Sequence, residues 1–187
     1  MNGLTTSLHV FATEQKNVET IHSRIAYIEP NLLRINYATR GEIVKLQIPA
    51  PSLPHRADRL WEHTCFEAFI CADGDSSYYE FNFSPSGEWA AYSFRGYRDG
   101  APTDDEALVP GIIVRRTPDR LELDAVVRMD RLPGIRTGST LRIGLSAVIE
   151  ATDGTLSYWA LKHPAAKPDF HHPDSFALEL PFPSQGA

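Results

Sequence analysis

From residue 31 onward, apolar and polar residues alternate with a period of two along much of the chain, which is the signature of half-buried strands. NLLRINYAT puts Leu33, Ile35 and Tyr37 on one face, and YYEFNFSP puts Tyr79, Phe81 and Phe83 on one face. Segments of this kind recur: EIVKLQIP, TCFEAFICA, EWAAYSFR, GIIVRRT, RLELDAVVR, TLRIGLSAVIE, TLSYWALKH and SFALELPF. Turn residues separate them at Arg40-Gly41, ADGDSS, Pro85-Ser86-Gly87 and Asp153-Gly154. No stretch keeps a helical period; only MDRLPG and residues 52–61 leave room for a helical turn. YRDGAPTDDEALVPG, residues 97–111, is expected to be a long acidic loop. Regularly spaced short strands predict an all-β fold, an antiparallel β-sandwich of jelly-roll-like form, with residues 1–187 as one domain. Its core should include Phe81, Phe83, Leu121, Leu123, Ile143 and Leu145.

Two of these strands are too polar for their surroundings. In TCFEAFICA, Thr64, Phe66, Ala68 and Ile70 share one face, which places Glu67 between Cys65 and Phe69 on the other. In YYEFNFSP the face opposite the phenylalanines carries Tyr78, Glu80, Asn82 and Ser84. A mid-strand carboxylate must find water, a donor or a ligand. One reading has Glu67 facing solvent or paired with Arg95 or Lys162. The other has Glu67, Glu80 and Asn82 lining a shallow polar groove flanked by Trp61. Carboxylates and amides beside aromatic platforms suit carbohydrate, whose C–H faces lie on an indole while its hydroxyls exchange hydrogen bonds. Trp61, Trp89 and Trp159 are the candidate platforms, with core packing the competing role for each. Trp89 alternates with Ala91 and Ser93, which leaves its side open.

LWEHTCFEAFI, YYEFNFSPSGEWAAYSF and SYWALKHPAAKPDFHHPDSFALELP, in that order, resemble the DOMON-like domains related to family-nine carbohydrate-binding modules. The resemblance spans about residues 55–182. It implies an antiparallel β-sandwich that binds a sugar end between two tryptophans. Trp61 matches the first tryptophan and Glu67 the groove carboxylate. Trp159 is matched to the second, although Ala160-Leu161-Lys162 departs from the family pattern. Asn82 joins this candidate ligand site, with Glu80 and Lys162 assisting. A broader set of DOMON relatives binds haem, which here would need Met129 with His163 or Lys162 as axial ligands. Met129 lies in phase with Leu121, Leu123, Ala125 and Val127, a core position.

Composition narrows the choice. Hydrophobic residues make up 42% of the 187 and charged residues 22%, enough for a substantial core. A net charge of −6 argues against nucleic acid or an anionic membrane as partner. No apolar run approaches the roughly 20 residues that span a bilayer. The N-terminal residues lack signal-peptide character, which predicts a cytoplasmic protein. Cys65 and Cys71 would stand about 20 Å apart on one strand, beyond the roughly 7 Å limit for a disulfide, so both read as buried thiols.

DFHHPDSF resembles the family's closing corner before the last strand. A metal site would instead gather Asp169, His171, His172 and His163, but adjacent histidines on an extended chain point apart. The corner reading is preferred. At ADGDSS, Asp73 and Asp75 suit a hydrated turn better than calcium. No catalytic motif is present; a glycosidase would have to pair Glu67 with Glu80. The sequence therefore predicts a non-catalytic module for a carbohydrate or similar small polar ligand, without cofactor or metal.

Overall fold

The computed structural model describes residues 3–12, 17–103, 105 and 108–184. Its strands are β1 (Leu4–Val10), β2 (Val18–Glu29), β3 (Leu32–Gly41), β4 (Cys65–Ala72), β5 (Tyr78–Phe83) and β6 (Trp89–Gly96). They continue as β7 (Asp99–Pro102), β8 (Gly111–Arg116), β9 (Arg120–Arg128), β10 (Thr140–Glu150), β11 (Leu156–Ala160) and β12 (Leu178–Pro181). All pairings between strands are antiparallel. One layer runs β1-β2-β3-β9-β8 and the other β7-β6-β5-β4-β10-β11. Strand β1 joins them: Leu4 to Leu8 pair with β2, while His9 and Val10 pair with β11. The long strand β10 has β4 along one edge and shares its other edge between β12, at residues 140–143, and β11, at residues 146–150. The fold is the antiparallel β-sandwich predicted from the alternation.

The inner faces of the two layers form one hydrophobic core. Ile25, Leu33, Ile35, Leu121 and Leu123 from the first meet Phe66, Phe81, Phe83, Ile143 and Leu145 from the second. Tyr37 crosses the gap. Its ring packs on Phe66 with centroids 4.9 Å apart, and its hydroxyl donates to the Glu67 carbonyl at 2.7 Å. Both cysteines are free and buried.

Three departures from the sequence reading have local causes. EIVKLQIP does not form a strand. It tightens into a single 3₁₀ turn at Ile43–Lys45, and Leu46 makes only an isolated bridge to Ala151. The edge of β3 that it would need is taken by β9. Strands β1 and β2 precede the first segment recognised by alternation. In β2, a register shift between Val18 and Thr20 breaks the period of two, and a buried serine, Ser23, stands at a core-facing position. Ser23 is accommodated because its hydroxyl donates to the Asn36 carbonyl at 2.8 Å. Part of the expected acidic loop is strand β7, which pairs with β6; residues 104, 106 and 107 lie outside the described set. The helical turn foreseen at MDRLPG occurs as a 3₁₀ turn at Met129–Arg131, and a 3₁₀ turn at Leu60–Glu62 overlaps only the end of residues 52–61.

Tyr37→Phe should lower the unfolding free energy by about 1–2 kcal/mol, because it keeps the ring and removes a buried donor from an inter-layer carbonyl. Urea denaturation with an unchanged m-value checks it; an unaltered midpoint would show that this hydrogen bond contributes nothing net.

Candidate functional site

The outer face of the second layer holds the cleft. Strands β4 and β5 are buried on both faces, so residues opposite the core are also covered. Register sets the rows of this outer face. Tyr92, Glu80 and Phe69 lie side by side across β6, β5 and β4, and the row ends at Gly144 on β10. The next row is Ala90, Asn82, Glu67 and Ser146. Beyond it, Val148 on β10 pairs with Tyr158 on β11.

A strap formed by residues 161–177 crosses the far part of this face. Phe176 stacks on Phe69 with centroids 5.5 Å apart. Gly144 makes that approach possible, since a Cβ there would stand 2.7 Å from the Phe176 ring. Arg142 donates to the Pro173 carbonyl at 2.7 Å. Asp169 fastens the strap to the β6–β7 turn: one carboxylate oxygen accepts from Tyr97 Oη at 2.7 Å and the other from Arg98 Nη2 at 2.9 Å. Burial alone would push the Asp169 carboxyl up, but these two bonds outweigh it and hold the group below its ordinary range.

Between the strap and the Leu60–Glu62 turn opens a cleft of about 590 Å³. Glu67, Glu80, Arg98 and His171 give it polar atoms; Trp61, Tyr92, Tyr158 and Phe170 are its principal rings. Trp61 is 40% exposed and meets Tyr92 edge-on at 5.9 Å. Arg59 adopts a left-handed conformation before this turn, with φ of 64°. Tyr92 is held in turn by donating to Asp58 Oδ1 at 2.8 Å.

The two acids are deeply set: Glu67 is 3% exposed and Glu80 5%. Glu67 Oε2 accepts from Ser146 Oγ at 3.3 Å, and Glu80 Oε1 accepts from Asn82 Nδ2 at 2.7 Å. Burial, reinforced by the neighbouring Glu80, pushes the Glu67 carboxyl well above its usual range. Burial likewise pushes Glu80 up to about 7, against the opposing pull of Asn82 and Arg98. His171 stands beside Glu80, its Nε2 3.7 Å from Glu80 Oε2. The distance resembles an ion pair, but burial and then the Arg98 charge push the imidazole down to about 4, so the ring is neutral at pH 7. The Tyr78 hydroxyl accepts from the Arg98 backbone N–H at 3.2 Å and lies 2.9 Å from His171 Nδ1. Donation from Tyr78 to Nδ1 leaves the ring proton on Nε2, facing Glu80.

Of the residues expected from sequence, Trp61, Glu67 and Glu80 come together in this cleft. Asn82 is fully buried beneath it and orients Glu80. Two expectations are corrected. Trp159 is 4% exposed and lies in the inter-layer core, because its strand turns Tyr158 outward and Trp159 inward. Lys162 is exposed and does not line the cleft. Neither it nor Arg95, which pairs with Asp99, partners Glu67. Trp89 is also a core residue. The corner histidines divide their roles. His172 caps the 3₁₀ turn at Pro173–Ser175 by accepting from the Asp174 N–H, whereas His171 enters the cleft. Sequence reasoning missed Tyr158, Tyr92, Arg98 and His171. The phase of β11 and β6 carried a signal for the two tyrosines; nothing local marked Arg98.

Among the described residues, no group of three or more His, Cys, Asp or Glu side chains is arranged for a metal ion. Asp75 accepts from the Ser77 N–H at 3.0 Å, which closes the turn at ADGDSS. Met129 is fully buried in the inter-layer core, away from the cleft a haem ligand would have to reach.

The molecule is thus a β-sandwich with a ligand-sized cleft on the outer face of one layer. No protein-family model matches the sequence, and no curated protein matches it. Solved structures do. The fold is similar to that of a provisionally assigned carbohydrate-binding protein from Bacteroides uniformis ATCC 8492, with a TM-score of 0.69, 18% identity, and coverage of 91% of this chain and 83% of that one. It is also similar to a family-nine carbohydrate-binding module from Caldicellulosiruptor kristjanssonii in complex with cellotriose. There the TM-score is 0.55 and the identity 11%, over 87% of this chain and 74% of that one. At such identities the likeness is one of fold: a β-sandwich of the carbohydrate-binding-module type.

The cleft should leave a mark on the pH dependence of stability. Glu80 holds its proton more tightly folded than unfolded, so its contribution is complete below about 4.5 and is lost as pH rises through about 7. His171 is depressed from 6.5 to about 4, so its contribution is complete above 6.5 and is lost as pH falls through about 4. Their slopes oppose each other. Relative to the unsubstituted protein, Glu80→Gln should therefore gain stability as pH rises from 4.5 to 7, and His171→Gln should lose it as pH rises from 4 to 6.5. Each slope is on the order of 1 kcal/mol per pH unit at most. Denaturant midpoints across that range test it, and parallel profiles for all three proteins would contradict both assignments.

Proposed function

We propose that this protein is a non-catalytic carbohydrate-binding module, related to the DOMON-like and family-nine modules, and that the cleft over Glu67 and Glu80 is its ligand site. The observation that carries the reading is the pairing of an exposed indole, Trp61, with a buried polar floor in one cleft. A sugar ring presents C–H faces to the indole and to the tyrosines, and hydroxyls to the acids, Arg98 and His171. The second aromatic partner in this reading is Tyr158, which lines the same cleft, in place of Trp159. The fold it shares with the cellotriose-bound module supports the same conclusion.

A glycosidase reading finds less support. Such an enzyme divides its carboxyls between a protonated acid and an ionised partner. Here burial drives Glu67 and Glu80 in the same direction, toward the neutral form. The haem reading is weakened by the core position of Met129.

A thermal-shift screen against mono- and oligosaccharides is the direct test, because a ligand that binds only the folded state raises its melting temperature. With a sugar that binds, Trp61→Ala should remove most of the shift. Glu67→Ala, which removes the hydrogen bonds of a carboxyl that burial keeps neutral, should weaken binding by up to roughly tenfold. Lys162→Ala and His172→Ala should leave affinity unchanged. Equal affinity for Trp61→Ala and the unsubstituted protein would remove the cleft from consideration.

A further inference from the structure

The two acids are set as if for more than neutral hydroxyls. Each keeps one carboxyl oxygen without a hydrogen bond among the described residues: Glu67 bonds Ser146 through Oε2, and Glu80 bonds Asn82 through Oε1. Both are more than nine-tenths buried, and both line the cleft. The cation that does reach the cleft, Arg98, is already committed: its guanidinium bonds Asp169 and lies over the Tyr97 ring, 5.7 Å from the centroid. His171 approaches Glu80 only to 3.7 Å. The walls are rings, Trp61, Tyr92, Tyr158 and Phe170, whose faces attract positive charge. Paired buried acids that outnumber the one, already committed cation beside them, in a cleft lined by aromatic rings, are a site for a desolvated cation held by charge-assisted hydrogen bonds.

We propose that the cleft selects an amine-bearing sugar, with the ligand's ammonium seated between Glu67 and Glu80 and its ring against Trp61. This rests on the carbohydrate reading and narrows its ligand class. In the empty cleft, burial favours protonated acids. An arriving ammonium reverses that balance, so the acids give up protons to solvent and become carboxylates as the ligand binds. A neutral sugar supplies no charge to drive this release. Arg98, His171, Glu62 and the phenols of Tyr92 and Tyr158 complete the charged and titratable lining of the cleft. None of them offers the ammonium a better seat: Arg98 is positive, His171 is neutral, and Glu62 is paired with Arg59.

Three trimers that differ only in the C2 substituent of each ring provide the test: the β-1,4 trimer of glucosamine, the corresponding N-acetylglucosamine trimer, and cellotriose. Isothermal titration at pH 6, in two buffers of different ionisation enthalpy, reads affinity and proton exchange together. The glucosamine trimer should bind at least about tenfold more tightly than cellotriose, with net proton release that cellotriose lacks. The acetylated trimer, which has lost the charge, should not share the advantage. Glu67→Gln and Glu80→Gln, checked for folding by their denaturation midpoints, should bring the glucosamine-to-cellotriose ratio close to one. If cellotriose binds as tightly as the glucosamine trimer and neither releases protons, the amine inference fails and the carbohydrate reading stands. If none of the three trimers binds, both fail.

Discussion

The site depends on one constraint: β4 is buried on both of its faces. A strand of alternating residues ordinarily shows one face to the core and the other to water. Here Phe66, Ala68 and Ile70 enter the inter-layer core while Cys65, Glu67, Phe69 and Cys71 are covered from outside. Part of the cover comes from the C-terminal strap, whose Phe176 and His171 pack on Phe69, and part from the Leu60–Glu62 turn on the other side of the cleft, so the surroundings of Glu67 are built from segments far apart in the chain. Covered in this way, Glu67 is a desolvated acid whose protonation is decided by its neighbours.

The strap is held by unlike interactions that act together. Phe176 and Phe69 provide apolar contact at one point, and Asp169 with Tyr97 and Arg98 provides a partly buried polar clasp at another. The clasp also shapes the cleft. Arg98, drawn toward Asp169, offsets the burial of the two acids only in part, and its backbone N–H orients the Tyr78 hydroxyl that fixes His171. His171 is therefore more than a turn residue. It sits among Phe69, Tyr78 and Phe94 and links the clasp to Glu80 through one hydroxyl. The cleft's electrostatics and the strap's attachment share the same few side chains.

Much of the architecture was legible in the sequence because strand alternation is a local property. The period of two placed Phe81 and Phe83 in the core and set Glu67, Glu80 and Asn82 on the opposite face, where they are found. The same rule failed where local order was interrupted. Val18 and Thr20 flank a register shift in β2, and Val44, 70% exposed, belongs to a 3₁₀ turn instead of a strand. For Trp159, the family pattern outweighed the phase of its own strand, which turns the neighbouring Tyr158 outward.

By itself, then, the sequence determined most of the strands from β3 onward, the two-layer class and the faces on which the acids stand, since each follows from the spacing of neighbouring residues. Only the tertiary structure decided that Glu67 and Glu80 share a covered cleft and that Trp61 reaches it while Trp159 does not. It also decided that Arg98 turns to Asp169 and that His171, not His172, meets Glu80. Those outcomes depend on which distant segments cover which face, and covering is a matter of packing and desolvation between residues far apart in the chain.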